Sequence, residues 1–196
     1  MKQKFNGEIC TTTKTVNNIL RVYDQSDGDG FYWYREANEF AEKLGEEYKV
    51  SDWKVAGIIA AFSPLKSWEL NKIIAAQFLA TGKASHTAVM VKKAKDIMES
   101  DGQVTTICDI LNGNKIVNFF LNIAQPVDLG GVTIDRHAIS IAVGKVLPDS
   151  KMRMSKNQYE FFVNAYKIAA FKRDVLPNQM QSVTWVKWKE MKKQNN

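Results

Sequence analysis

Three side chains in this sequence have the makings of a reactive site: the amine of Lys115, the carboxylate of Asp135 and the imidazole of His137. Asp135 directly precedes an apolar helical run, for which it or Thr133 can serve as N-cap. The same helix N-terminus keeps a carboxylate ionised at neutral pH, able to stabilise charge or move a proton. Lys115 lies in the first turn of another amphipathic run, where a cation opposes the helix dipole by roughly a few tenths of a kcal/mol. Its amine is a nucleophile where its surroundings lower its pKa, and a solvated lysine otherwise. His137, two residues beyond Asp135, suits a core or capping imidazole as well as a catalytic one. Lys115 and Asp135 stand 20 residues apart, joined by one helix and a glycine-containing turn. That spacing suits two loops flanking one cleft.

Further residues could hold a substrate. Trp68 and Asn71 are three apart on one helical run, a ring to stack a base and an amide to read its Watson–Crick edge. A core tryptophan satisfies the same spacing. Trp185 and Trp188 alternate with Lys187 and Lys189, an aromatic and basic mixture that suits nucleic acid and equally a terminal helix docked on a core. His86 has no cysteine or second histidine at metal spacing, so no metal is expected. Asp24-Gln-Ser-Asp-Gly-Asp-Gly30 looks superficially like a calcium loop, but its later positions run into Trp33 and Tyr34 and the bidentate glutamate is missing. Cys10 and Cys108, with no CxxC, support neither a disulfide framework nor an iron–sulfur site.

The elements that must position these groups read as helices. Apolar residues recur at spacings of three and four through 31–48, 51–62, 66–80, 87–100, 104–111, 115–124, 135–143, 155–171 and 179–193. Ser51 and Ser155 stand at helix starts, Gly82 at a stop, and Asn112-Gly113-Asn114 makes a sharp break. A turn is expected at Asp128-Leu-Gly-Gly131. Nine short helices and no sheet, in one all-α domain over 1–196, is the expectation. The 196 residues are 45% hydrophobic, enough for a core. Charge is uneven: residues 151–196 carry ten basic against three acidic side chains, whereas 1–150 carry seventeen against eighteen. The basic last quarter points to a polyanion. No membrane span and no apolar leader is visible, so a soluble cytoplasmic protein is expected. The oligomeric state is left open.

Four segments in order give a resemblance. Phe62-Ser63-Pro64 follows a buried helix, Lys93-Ala94-Lys95-Asp96-Ile97 lies on a second, Gly113-Asn114-Lys115-Ile116-Val117-Asn118 follows a sharp turn, and Ile134-Asp135-Arg136-His137 opens a last helix. Across about residues 50–145 the chain resembles the helix-hairpin-helix DNA glycosylase superfamily, typified by endonuclease III. The resemblance implies an all-α glycosylase-like bundle acting on DNA, with a flipped nucleotide held in a cleft between 63–71 and 115–135. Asp135 would oppose positive charge at the sugar C1′, and Lys115 would form a Schiff base there. Ser63, Trp68, Asn71, Asn118 and His137 would line the base pocket. Asn112, Gly113 and Asn114, with Lys187 and Lys189, would grip phosphates. No cofactor is implied: the family's cysteine cluster is absent, and the hairpin Leu111-Asn112-Gly113-Asn114 is two residues shorter, with one glycine. The wording is closer to small phage-encoded relatives, some implicated in thymidine hypermodification. Base excision, transfer onto an activated thymine derivative, and a non-catalytic DNA-binding or host-interaction protein all follow from that likeness.

Overall fold

The computed structural model describes residues 1–127, 131–148, 150 and 152–194. It is mostly helical: ten helices and one two-stranded sheet among the described residues. The chain divides into two compact units, one built from 1–34 with 127–196 and the other from 35–126.

The first unit begins where the sequence reading expected nothing regular. β1 (Lys2–Phe5) pairs antiparallel with β2 (Glu8–Thr11) through Asn6-Gly7. Both turn residues have positive φ, 49° and 86°, the pair of angles that an Asn-Gly hairpin turn supplies. The expectation of no sheet is therefore corrected. α1 (Thr12–Tyr23) follows directly, capped by the Thr11 hydroxyl, and is a tenth helix beyond the nine expected. It buries Val16, Ile19 and Leu20 against α8 (Arg136–Val143), α9 (Lys156–Phe171) and α10 (Pro177–Gln194). Phe5 meets Phe162 edge to face at 5.3 Å inside the same core. Arg173 closes the far ends of α1 and α9 with two hydrogen bonds to the Asp24 carboxylate, 2.7 and 2.6 Å, and those bonds hold the Asp24 pKa below its ordinary value. Gly30 is a glycine of necessity. Its φ is +88°, and a Cβ there would come within 2.7 Å of Val186 and 3.0 Å of the Ser182 carbonyl.

The second unit is organised around α3 (Asp52–Phe62), which is buried from Val55 to Phe62 on every side. A helix apolar all round must be wrapped, and α4 (Trp68–Thr81), α5 (Ala88–Glu99), α6 (Val104–Leu111) and α7 (Asn114–Ala124) wrap it. α2 (Trp33–Tyr48) contributes most of its length here, burying Ala37, Ala41 and Leu44. Trp53 meets Phe120, and Phe62 meets Phe78, both edge on. Truncating either fully buried phenylalanine to alanine would cost about 3–5 kcal/mol.

The turn expected at 128–131 falls largely on residues 128–130, which lie outside the described residues. No helix among the described residues is long and apolar enough to cross a membrane.

Candidate functional site

Asp135 is the N-cap of α8. Its Oδ1 accepts from the backbone N–H groups of His137 and Ala138 at 2.9 and 2.8 Å. No hydrogen bond among the described residues engages Oδ2. The backbone that delivers it is buried: Val132, Thr133 and Ile134 are all inside. Tyr159 of α9 pins that segment. Its hydroxyl donates to the Val132 carbonyl at 2.9 Å and accepts from the Ile134 N–H at 3.3 Å. Tyr166, two turns further along α9, donates to the Ala138 carbonyl at 3.2 Å. Complete burial pushes the Tyr166 phenol far up, so it remains a donor. One carboxylate oxygen is thus fixed to the backbone on a segment that is itself held by two buried tyrosines.

His137 is half-buried beside it. Burial lowers its pKa; Asp135 opposes that shift, and Arg136, Lys192 and Lys189 add to it. The imidazole is therefore neutral at pH 7. Its ring stands edge on to Trp185 at 6.3 Å, and Trp185 in turn meets Trp33 at 6.0 Å. The Lys189 ammonium lies 4.0 Å from the Trp185 ring centroid. Partial burial lowers the Lys189 pKa, Lys193 adds to this, and Asp135 opposes it. A carboxylate, a neutral imidazole, two indoles and an ammonium make up this site, all within the first unit. The site thus combines a carboxylate and an imidazole with aromatic rings and a cation.

Lys187, expected beside Lys189 on the phosphate side, is turned away. Its side chain is 19% exposed, with its ammonium 3.5 Å from Glu190 and 3.9 Å from Asp27. Trp188 is buried in the core, its indole N–H without a hydrogen-bond partner.

The remaining expected residues belong to the second unit. Asn112 and Gly113 form the two-residue break between α6 and α7, with φ of 45° and 114°. Gly113 is the N-cap of α7 and has no side chain to cap it. The Lys93 ammonium donates to the Leu111 carbonyl at the end of α6, which ties the Lys-Ala-x-x-Ile helix to this turn. Lys115 is exposed, second in α7, and Asn118 Nδ2 donates back to the Asn114 carbonyl at 2.7 Å.

Ser63 and Asn71 serve the end of α3. The Ser63 N–H and hydroxyl both bond the Ala60 carbonyl, so the Ile59 carbonyl is left for Asn71 Nδ2 at 3.1 Å. The Asn71 Oδ1 is buried with no hydrogen-bond partner. Its amide is committed to the fold and its acceptor is closed off from solvent, so the expected reading of a base edge by Asn71 is corrected: the residue belongs to the packed interior. Trp68 packs edge on against Phe40 at 6.1 Å, with the Lys72 ammonium 5.7 Å from the Trp68 ring and paired to Glu69. Between Ser63 and α4, Leu65 is 99% exposed at a φ of 60°. The preceding Pro64 carbonyl lies 3.1 Å from His86 Nε2, which fixes the turn from below.

Among the described residues no group of histidine, cysteine, aspartate and glutamate side chains could hold a metal ion. Trp33 escaped the sequence reading, as did the grouping of Trp185 with His137. The four-residue step from Trp185 to Lys189 was a usable signal for one helix face; the approach of Trp33 had none.

No curated protein and no solved structure matches the chain. One family model, described as a family of unknown function (DUF7178), matches residues 1–192 and so runs through both units. The chain belongs to the DUF7178 family.

Proposed function

We propose that this protein processes a base in DNA, extruding a nucleotide and acting at the base or its glycosidic bond. The observation that carries this reading is Asp135: one carboxylate oxygen held by two amides, the other unengaged, beside a neutral imidazole and the Trp185 ring. A carboxylate so fixed opposes positive charge developing at a sugar C1′ without having to reorganise first. Flat aromatic walls suit a flipped base. The ordered likeness of four segments to the helix-hairpin-helix glycosylases supports the same reading. Lys115 is the candidate amine nucleophile under this reading.

The test is incubation with a panel of modified-base duplexes, followed by mass spectrometry of released bases and digested nucleosides. Release of a free base establishes excision, and a heavier nucleoside establishes group transfer onto the base. Asp135→Asn keeps an oxygen for the cap and should slow either product on the order of 10²–10⁴-fold. Borohydride should trap wild-type protein on DNA, and Lys115→Gln should abolish trapping if that amine attacks the sugar. Neither product from any duplex overturns the proposal.

A further inference from the structure

We infer that one face of α10 is a nucleotide track, in which Trp185 stacks the base next to the one acted on while Lys189 and Lys192 hold its flanking phosphates. This rests on the DNA reading above and deepens it.

Residues 185, 189 and 192 follow steps of four and three, so they line one stripe of the helix. The stripe begins on a ring and continues as two cations. Its two ends are not alike in use. Trp185 is half-buried, with Trp33 and His137 each edge on to it, which leaves a ring face that the Lys189 ammonium covers from 4.0 Å. An exposed cation–π contact is worth only about 0.5–1 kcal/mol. A stacked base is worth about 1–3 kcal/mol. A base can therefore displace the ammonium, which swings on its flexible stem to the phosphate that comes with the base.

The opposite side of α10 excludes itself. Lys187 stands near Glu190 and Asp27, and Trp188 is in the core. By contrast no ion pair among the described residues engages Lys189 or Lys192. Both lie near enough to His137 to depress its pKa, so the stripe borders the Asp135 site in the same unit. Asp135 is the carboxylate that acts on both His137 and Lys189, and an anion would be drawn to the cations while the reacting group is left clear.

The experiment measures binding of a fluorescein-labelled single-stranded oligonucleotide and its duplex to the full chain across a salt series. Each single-strand phosphate neutralised contributes about 0.7 to the slope of log K against log salt. Lys189→Gln with Lys192→Gln should therefore flatten the single-strand slope by about 1.4, whereas Lys187→Gln should leave it unchanged. Trp185→Leu should raise Kd roughly 5- to 150-fold, the factor that goes with one lost base–aromatic stack. Far-UV circular dichroism checks that each variant is folded. A normal slope in the Lys189/Lys192 double variant overturns the track, as does an equal loss from Lys187→Gln. If base processing persists in the double variant with a normal slope, the DNA reading survives and only the track fails. If wild-type protein binds no DNA at low salt, both fail together.

Discussion

Two helix starts in this protein carry the groups best suited to chemistry, and they are built in opposite ways. α8 begins at Asp135, whose carboxylate caps the helix while a buried tyrosine clamps the extended segment that leads into it. α7 begins at Gly113, which has no capping side chain, and its Lys115 is exposed. A side chain that must be in one place is held by buried neighbours; a backbone turn that offers only N–H groups needs positive φ and little else. Under the proposed function the first arrangement is the pre-organised one. The second suits a part that meets its ligand through flexible side chains.

The largest effect that could break this contrast is on rate. Asp135→Asn should lose on the order of 10²–10⁴-fold in base processing with unchanged stability, because the amide oxygen still caps α8. Next comes the clamp. Tyr159→Phe deletes the hydroxyl and leaves the buried Val132 carbonyl and Ile134 N–H unpaired. A loss of about 1–3 kcal/mol in urea-unfolding free energy is expected. Amide hydrogen exchange at Ile134 should accelerate along with it. An unchanged stability would show that the segment is held by packing alone.

Smaller again is the loss of the caps themselves. Asp135→Ala should cost about 1 kcal/mol of stability through the unsatisfied first-turn amides. Gly113→Ala should cost a comparable amount, about 1 kcal/mol, for a different reason: alanine is strained at a φ of 114°. The two differ in rescue. Asp135→Ser restores a cap, whereas no L-residue restores the angle, except that asparagine or aspartate reduces the penalty where the backbone can shift toward the left-handed region.

Legibility in the sequence followed local physics. The nine helices from 31 onward were visible because each has one apolar stripe or, as at Val55–Phe62, is apolar throughout. A cap before the apolar run was visible too, at Thr133 or Asp135, since both residue types cap helices; the structure places it at Asp135. α1 was obscured by Thr12, Thr13 and Thr15, poor helix formers, although Val16, Ile19, Leu20 and Tyr23 keep the helical spacing. The hairpin strands are four residues each, too short for alternation to show, with only Phe5 and Cys10 buried. Asn6-Gly7 was the signal for it. What no window could reveal is long-range. Trp33 meets Trp185 from the far side of the second unit's sequence, and a unit assembled from both chain ends leaves no linker of unusual composition to mark it.

The smallest expected effect is the sharpest probe of the Asp135 side of the contrast, because it reads the electrostatics of the site without needing a substrate. Burial holds the His137 pKa below its ordinary value, with Arg136, Lys189 and Lys192 pushing the same way and Asp135 pulling against them. In the unfolded chain the imidazole titrates near about 6.5. Between the two pKa values the unfolded state binds more protons, so acid favours unfolding. The contribution is complete above about pH 6.5 and is lost progressively as pH falls below it. Urea midpoints measured from pH 7.5 down to 5 should therefore fall, and His137→Gln should flatten that decline. Asp24 and Asp101 are held low by their own hydrogen bonds, so their losses begin at more acid pH and do not interfere. Asp135→Asn removes the one neighbour that supports the protonated imidazole and should steepen the decline. Lys189→Gln with Lys192→Gln removes two that oppose it and should make it shallower. Opposite signs from the two changes would place carboxylate and ammonium groups around one imidazole; equal slopes in all variants would dissolve the cluster.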